Sequence, residues 1–438
     1  MSPAASATTL SPPARPAPGG RGLAAYALLG LPLAMTALPL NILLPDFYAA
    51  QTGLALTTIG LVLLATRAVD AVADPLLGAY VDAQKHGAGA GGYLRPVLLA
   101  APVLALAVML LFNPPALTGT GATLWLFATL VAAYLGYSLA TVAYQAWGAE
   151  LAHDDAGRTR ITGAREGAGL IGVLIGGALP TVAGMGTLTW VFLVTLVIAL
   201  VVLVRGAPQV AARPTGAASA PARGNPFASF VLPLQSSRLR WLLAVFALNA
   251  IAPSITATVF QFYVADRLGL AQYAGMFLAL YFIAGAASMP LWIRLARRWS
   301  LHVVWLAGMV AAVAAFIWAY ALSGPQLAAF ATICVLSGLA FGADLAIPPA
   351  LLARVIDANG HAGSREGTYF GLWNFVNKLT LALAGGIALP LLEGLGYARG
   401  GSDAAALSAL AFVYAVVPCA LKLVAAALLL AAWRQQRF

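Results

Sequence analysis

Arg67-Ala-Val-Asp70-Ala-Val-Ala-Asp74-Pro75-Leu-Leu-Gly78 puts a guanidinium and two carboxylates inside an apolar run covering 56–81. At spacings i, i+3 and i+7 the three ionisable groups share one face of a helix. A helix of this length crosses a hydrocarbon core about 30 Å thick. Counted inward from a helix end near Asp82 at ~1.5 Å per residue, Asp70 lies about 18 Å deep and Asp74 about 12 Å deep. Charges at that depth are costly, and by default they mark a functional site.

The rest of the chain has the same character. Of 438 residues, 61% are hydrophobic and 9% charged, and the mean hydropathy is +0.88; a soluble domain carries about 25% charged residues. The bilayer must therefore solvate most of the surface. Apolar stretches long enough to span fall near 23–44, 56–81, 96–113, 122–148, 166–184, 187–204, 240–262, 272–293, 302–322, 326–352, 367–391 and 405–433. Twelve spans put both termini on one side. Of the 24 Lys and Arg, nineteen fall in termini-side segments, Arg267 and Arg399 fall in opposite loops, and Arg67, Lys378 and Lys422 lie within spans. Positive charge accumulates on the cytoplasmic side, so both termini are expected there, in a bacterial-type inner membrane. The net charge of +10 is then topology, with no role for nucleic acid. Cys334 and Cys419 lie in apolar runs and read as core residues, with no disulfide framework.

The expected organisation is a disordered tail over 1–22, a first bundle over 23–205, a Pro/Ala/Gly-rich linker over 206–239, a second bundle over 240–433 and a short tail over 434–438. The halves echo one another. Arg165-Glu166-Gly167 recurs as Arg365-Glu366-Gly367, and Asp74-Pro75-Leu76 recurs as Met289-Pro290-Leu291. The fold class implied is an all-α polytopic membrane protein of two pseudo-symmetric six-helix bundles around a central cavity. The Arg-Glu dipeptides are expected at cytoplasmic helix starts, with the acid in the first turn. Arg165 and Arg365 would pair with Asp82, Glu150 or Asp357 on neighbouring helix ends. Together with Glu166 and Glu366 they would form a cytoplasmic gate; plain capping is the competing account.

Lys378 stands twelve residues in from Glu366, level with Asp70, and Asp344 stands ten residues from Arg354. An isolated buried charge would neutralise, whereas two carboxylates with an Arg and a Lys satisfy one another. Such a cluster can load H⁺ or chelate Na⁺; the competing account is a static lock between halves. Polar and aromatic residues of inner spans, Tyr137, Tyr144, Gln145 and Trp147 in the fourth span and Tyr369, Trp373, Asn374 and Asn377 in the eleventh, are candidates with Asp344 for lining a solute cavity. No Walker loop, metal-spaced His/Cys cluster or Gly-x-Ser-x-Gly occurs, so neither an enzyme nor a cofactor is indicated.

The 67–78 stretch resembles the helix-two signature of the glycoside–pentoside–hexuronide:cation symporters, the melibiose permease-like family of the major facilitator superfamily. Arg365-Glu-Gly-Thr-Tyr369-Phe-Gly-Leu-Trp373-Asn-Phe-Val-Asn-Lys378-Leu is similar to that family's helix-eleven signature, and Ala353-Arg354-Val-Ile-Asp357 and 158–165 fit too. The resemblance implies coupling of Na⁺, Li⁺ or H⁺ at Asp70 and Asp74, with Lys378 nearby. Sugar-transporting members carry acids where Ala34 and Thr141 align here. With Thr141 and Arg67 completing a coupling site short of one carboxylate, H⁺ is favoured over Na⁺. The expectation is a cation-coupled symporter of a small organic solute, a sugar or glycoside among the candidates. The alternatives are a carrier of lysolipids or other amphipathic compounds, and a non-transporting receptor or assembly factor. Cysteines introduced at Ser219 and Gly401 are expected to label from the cytoplasm and the periplasm respectively; periplasmic labelling at Ser219 would invert the orientation.

Overall fold

The computed structural model describes residues 19–54, 56–85, 91–152, 154–206, 231–397 and 403–435. The first eighteen residues, most of the expected linker, and positions 219 and 401 lie outside the described residues. Twelve helical passages follow in order: α1 (20–52), α2 (Leu56–Lys85), α3 (Gly91–Leu111), α4 (Gly119–Glu150), α5 (155–181), α6 (Val182–Gly206), α7 (Ser237–Arg267), α8 (Ala271–Arg298), α9 (Leu301–Ala321), α10 (Leu327–Ala358), α11 (Glu366–Gly394) and α12 (Ala404–Arg434). Eight of them, α3, α4, α6–α10 and α12, are long and apolar enough to cross a membrane by length and composition alone. The others are the broken α1, the charge-bearing α2 and α11, and α5. Helix is the expected solution in lipid, because it satisfies every backbone group within its own segment.

Local chemistry sets the breaks. Pro32, Pro39 and Pro45 each remove an N–H from α1, and a π turn over Pro39–Leu43 takes up the mismatch. α5 runs into α6 through Gly184, whose φ of 83° lies in the left-handed region. A glycine there lets the chain reverse with no separate loop. α5 also begins at Asp155, well before the expected span over 166–184, so the 155–165 segment is helix and not loop.

Apolar faces point outward and polar ones inward. On α2, Leu61, Leu64 and Val72 are 60–67% exposed, while Asp70 and Asp74 are buried. The halves meet through α2 with α11, α4 with α11, and α5 with α8 and α10. The α2–α11 approach is backbone against backbone. A Cβ on Gly78 would fall 2.3 Å from the Gly367 carbonyl oxygen, and one on Gly371 would fall 2.6 Å from that of Asp74.

The end carrying the termini is tied shut between the halves. Asp82, three residues from the end of α2, caps α11: its Oδ1 accepts from Gly367 N at 2.6 Å and its Oδ2 from Thr368 N at 2.8 Å. Thr368 Oγ1 also donates to it, at 2.5 Å. Across from this, Arg158 of α5 pairs with Asp357 of α10 at 3.0 Å, and Arg354 of α10 pairs with Asp155 of α5 at 3.3 Å. The two pairs run in opposite senses, a crossed clasp between one helix start and one helix end. The expected gate pairing is corrected here. Asp357 takes Arg158 in place of Arg165 or Arg365, Asp82 caps the N-terminus of α11, Arg165 pairs with Glu166, and Arg365 forms no ion pair among the described residues. Glu366 does sit in the first turn of α11, where it accepts from Gly363 N and, at 3.3 Å, from Tyr93 of α3. Glu150 lies beside the same tyrosine.

Candidate functional site

α2 delivers Asp70 and Asp74 one turn apart on its inward face, and α11 delivers Lys378 from the other half. The Lys378 ammonium lies 2.6 Å from Asp70 Oδ2 and 2.9 Å from Asp74 Oδ1, to which it donates. Asp74 Oδ2 is 2.8 Å away but out of line for a hydrogen bond. Ser138 of α4 completes the group: its Oγ donates to Asp70 Oδ1 at 2.7 Å and accepts from Lys378 at 2.9 Å. The two acids are 8% and 0% exposed at the side chain and Lys378 is 27% exposed, so the cluster opens on the lysine side. One cation shared by two carboxylates holds together only while the halves stay in register, because the lysine and the acids belong to different halves.

Ser138 was not visible as a partner in the sequence; a lone serine in an apolar helix carries no charge signal. It takes the place expected of Thr141, one turn further along α4, whose Oγ1 is buried with no hydrogen-bond partner among the described residues. Arg67 faces Tyr134 of α4, one turn from Asp70.

Asp344 belongs to a second centre and not to the cavity assigned to it. Its Oδ2 is 2.7 Å from Lys422 Nζ of α12, and its Oδ1 accepts from Asn249 of α7 at 3.0 Å and from the Trp305 indole of α9 at 2.9 Å. Lys422 also donates to Asn249 at 2.8 Å. All four side chains lie within the second half, so rocking of the halves leaves this centre intact. The first half has its own tie: the Tyr26 and Tyr144 hydroxyls each donate to the other's backbone carbonyl at 2.8 Å, joining α1 to α4.

Four further candidates for the cavity are engaged in packing. Tyr144 is engaged with α1, Trp147 is 2% exposed, and Tyr369 is fully buried, its hydroxyl 2.8 Å from His361 Nδ1 and 3.0 Å from Asn359 Nδ2. Burial, with help from Arg365, lowers the His361 pKa below its usual value and keeps the ring neutral. Trp373 is buried and stacked on Phe246 at 3.6 Å. Gln145 and Asn374 do meet across the halves, the Asn374 amide donating to Gln145 Oε1 at 3.0 Å. Asn377 is exposed and Tyr137 half-buried.

Residues 22–431 match the family described as MFS/sugar transport protein, and the chain belongs to that family. It is a multi-pass membrane transporter and not an enzyme, which sets aside the receptor or assembly-factor alternative. A stretch of 127 residues is 28% identical to an uncharacterized symporter, YjmB, of Bacillus subtilis (strain 168); it covers 29% of this chain and 28% of that relative. Among solved structures, the E. coli fucose:proton symporter FucP superposes with a TM-score of 0.61 at 14% identity, covering 93% of this chain and 97% of that one. A bacterial homologue of the iron transporter ferroportin, in an outward-facing state, gives 0.67 at 15% identity over 93% and 98%. The human organic anion transporter MFSD10 gives 0.66 at 18% over 94% and 100%. At these identities the likeness is one of fold.

The two lysines separate by experiment. Lys422→Ala strands Asp344 in a buried site and is expected to cost about 3–5 kcal/mol, read as a fall in melting temperature in detergent. Adding Asp344→Asn should recover most of that loss. Lys378→Ala should also lower the melting temperature, because it leaves Asp70 and Asp74 buried without their cation, and it should abolish accumulation against a gradient. The Lys422→Ala/Asp344→Asn double variant should transport normally; loss of transport in it would contradict the division into a structural and a working pair.

Proposed function

We propose that this chain is an H⁺-coupled symporter of a small organic solute, a sugar or glycoside first among them, working by alternating access with its termini in the cytoplasm of a bacterial-type cell. The observation that carries this is the Lys378 ammonium shared across the halves by Asp70 and Asp74. The ammonium occupies the centre of an oxygen set made by Asp70, Asp74 and Ser138. A hard cation such as Na⁺ prefers several oxygen ligands, and here those oxygens are already turned toward a resident cation. A proton displaces nothing: it neutralises one carboxylate and weakens the attraction that holds the lysine. In a low-dielectric interior that attraction is strong, so its loss is enough to bias a two-state equilibrium between halves. Asp82 and the Arg158–Asp357 and Arg354–Asp155 pairs hold the termini side closed in this conformation, as a carrier loading from the opposite side requires.

The family supports a sugar-type solute in general terms. The absence of acids at Ala34 and Thr141 sets this chain apart from the melibiose permease-like pattern, and it is the reason lysolipids and other amphipathic compounds belong in the solute panel.

Vesicles with ΔpH and ΔNa⁺ imposed separately test the coupling. Uptake should follow ΔpH and collapse with a protonophore. Asp74→Asn should abolish accumulation against a gradient while counterflow exchange survives. Stimulation by Na⁺ alone, with no response to ΔpH, would refute the proton assignment.

A further inference from the structure

Glu166 was expected at a helix start on the gate. In the structure it lies eleven residues into α5, about 16 Å from the Asp155 end at ~1.5 Å per residue. Asp74 is likewise eleven residues in from the Lys85 end of α2. Arg165 is 5% exposed and Glu166 28% exposed at the side chain. The guanidinium grips one oxygen only: Nε at 3.0 Å and Nη2 at 2.7 Å both donate to Glu166 Oε1. Oε2 takes no hydrogen bond among the described residues. Tyr137 of α4 lies within electrostatic reach of Glu166, Asp70 and Asp74 together, which puts Glu166 on the inward side of α5. One turn further on, a Cβ at Gly169 would lie 3.5 Å from the Cβ of Ala34, the α1 position left without an acid.

A carboxylate at mid-membrane with one oxygen pinned and the other open is costly unless water or a ligand satisfies it. Its charge is balanced by Arg165, while Lys378 is committed to Asp70 and Asp74. Each of these two cations is thus already engaged by a carboxylate, and a bound anion would have to break a pair to reach either. What the site offers is a fixed, charge-strengthened acceptor, which suits hydroxyl donors.

We propose that Glu166 is a solute-binding, specificity-determining residue whose open Oε2 accepts hydrogen bonds from the hydroxyls of a neutral polyhydroxylated solute and disfavours sugar acids. This rests on the symporter function proposed above. It makes α5 the source of a carboxylate that α1 and α4 lack.

The test is uptake into proteoliposomes of radiolabelled methyl glycosides of galactose, glucose and xylose, with glucuronate and galacturonate as the anionic arm. Wild type should take up at least one neutral glycoside and neither uronate. Glu166→Gln should raise KM for that glycoside about tenfold or more, the scale of losing a hydrogen bond to a charged group, while the accumulation ratio at saturating solute stays near that of wild type. Glu166→Asp, which keeps the charge but retracts the oxygen, should fall between the two. Should the Gln variant fail to give a monodisperse peak in detergent, the Asp variant carries the comparison. A wild-type KM in the variants, or uronate uptake by wild type, overturns this assignment alone. Uptake of neither class by wild type overturns the solute reading and this assignment with it.

Discussion

A lysine ammonium held between two carboxylates of the opposite half, in a low-dielectric interior, is the interaction on which everything else in this molecule depends. Neither partner is tolerable there alone. Asp74 is fully buried and Asp70 nearly so, and an unpaired charge in such a place is costly. The need to bring α11 against α2 explains the glycines at 78, 367 and 371, where side chains would collide with the facing backbone. Ser138 ties into the same contact, accepting from Lys378 and donating to the second oxygen of Asp70. Packing, backbone approach and charge all converge on this one contact.

Two kinds of ion pair follow, and their placement separates their work. Lys378 with Asp70 and Asp74 joins the halves, as do the Arg158–Asp357 and Arg354–Asp155 pairs at the termini side. Lys422 with Asp344, braced by Asn249 and Trp305, stays within one half. A pair inside a bundle makes that bundle rigid. A pair between bundles can be made or broken as the bundles move, and in the proposed mechanism a proton on either carboxylate shifts that balance. The reciprocal Tyr26–Tyr144 bonds do for α1 and α4 what the Asp344 centre does for α7 and α10.

Much of this was legible in the chain. Charges in apolar runs stand out against the cost of burying them, so Asp70, Asp74 and Lys378 were found, and their matching depths followed from helical rise alone. Eight of the twelve passages are apolar enough to stand out by hydropathy alone; the broken α1, the charge-bearing α2 and α11, and α5 are not. What was not legible depended on neighbours in space. Asp344 and Lys422 are 78 residues apart, and nothing in either helix announces the other. Ser138 has no charge to betray it. Aromatic residues on inner helices look alike whether they line a cavity or pack, and Tyr144, Trp147 and Tyr369 proved to pack. Glu166 was misplaced because the polar 155–165 segment reads as loop, whereas Arg158 and Asp155 are polar for the sake of a clasp with α10 and the helix runs straight through them.

In the proposed mechanism a proton on Asp70 or Asp74 loosens Lys378 and lets the halves rock. Spin labels at Thr118 and Ser323, both exposed at the end of the molecule away from the termini and one on each half, report that motion by electron–electron double resonance. Acidification of wild-type protein in nanodiscs should move population from the longer to the shorter inter-label distance, and Lys378→Ala should abolish the pH response. A distance distribution that does not change with pH in wild type, or one that changes equally in Lys378→Ala, would contradict the account.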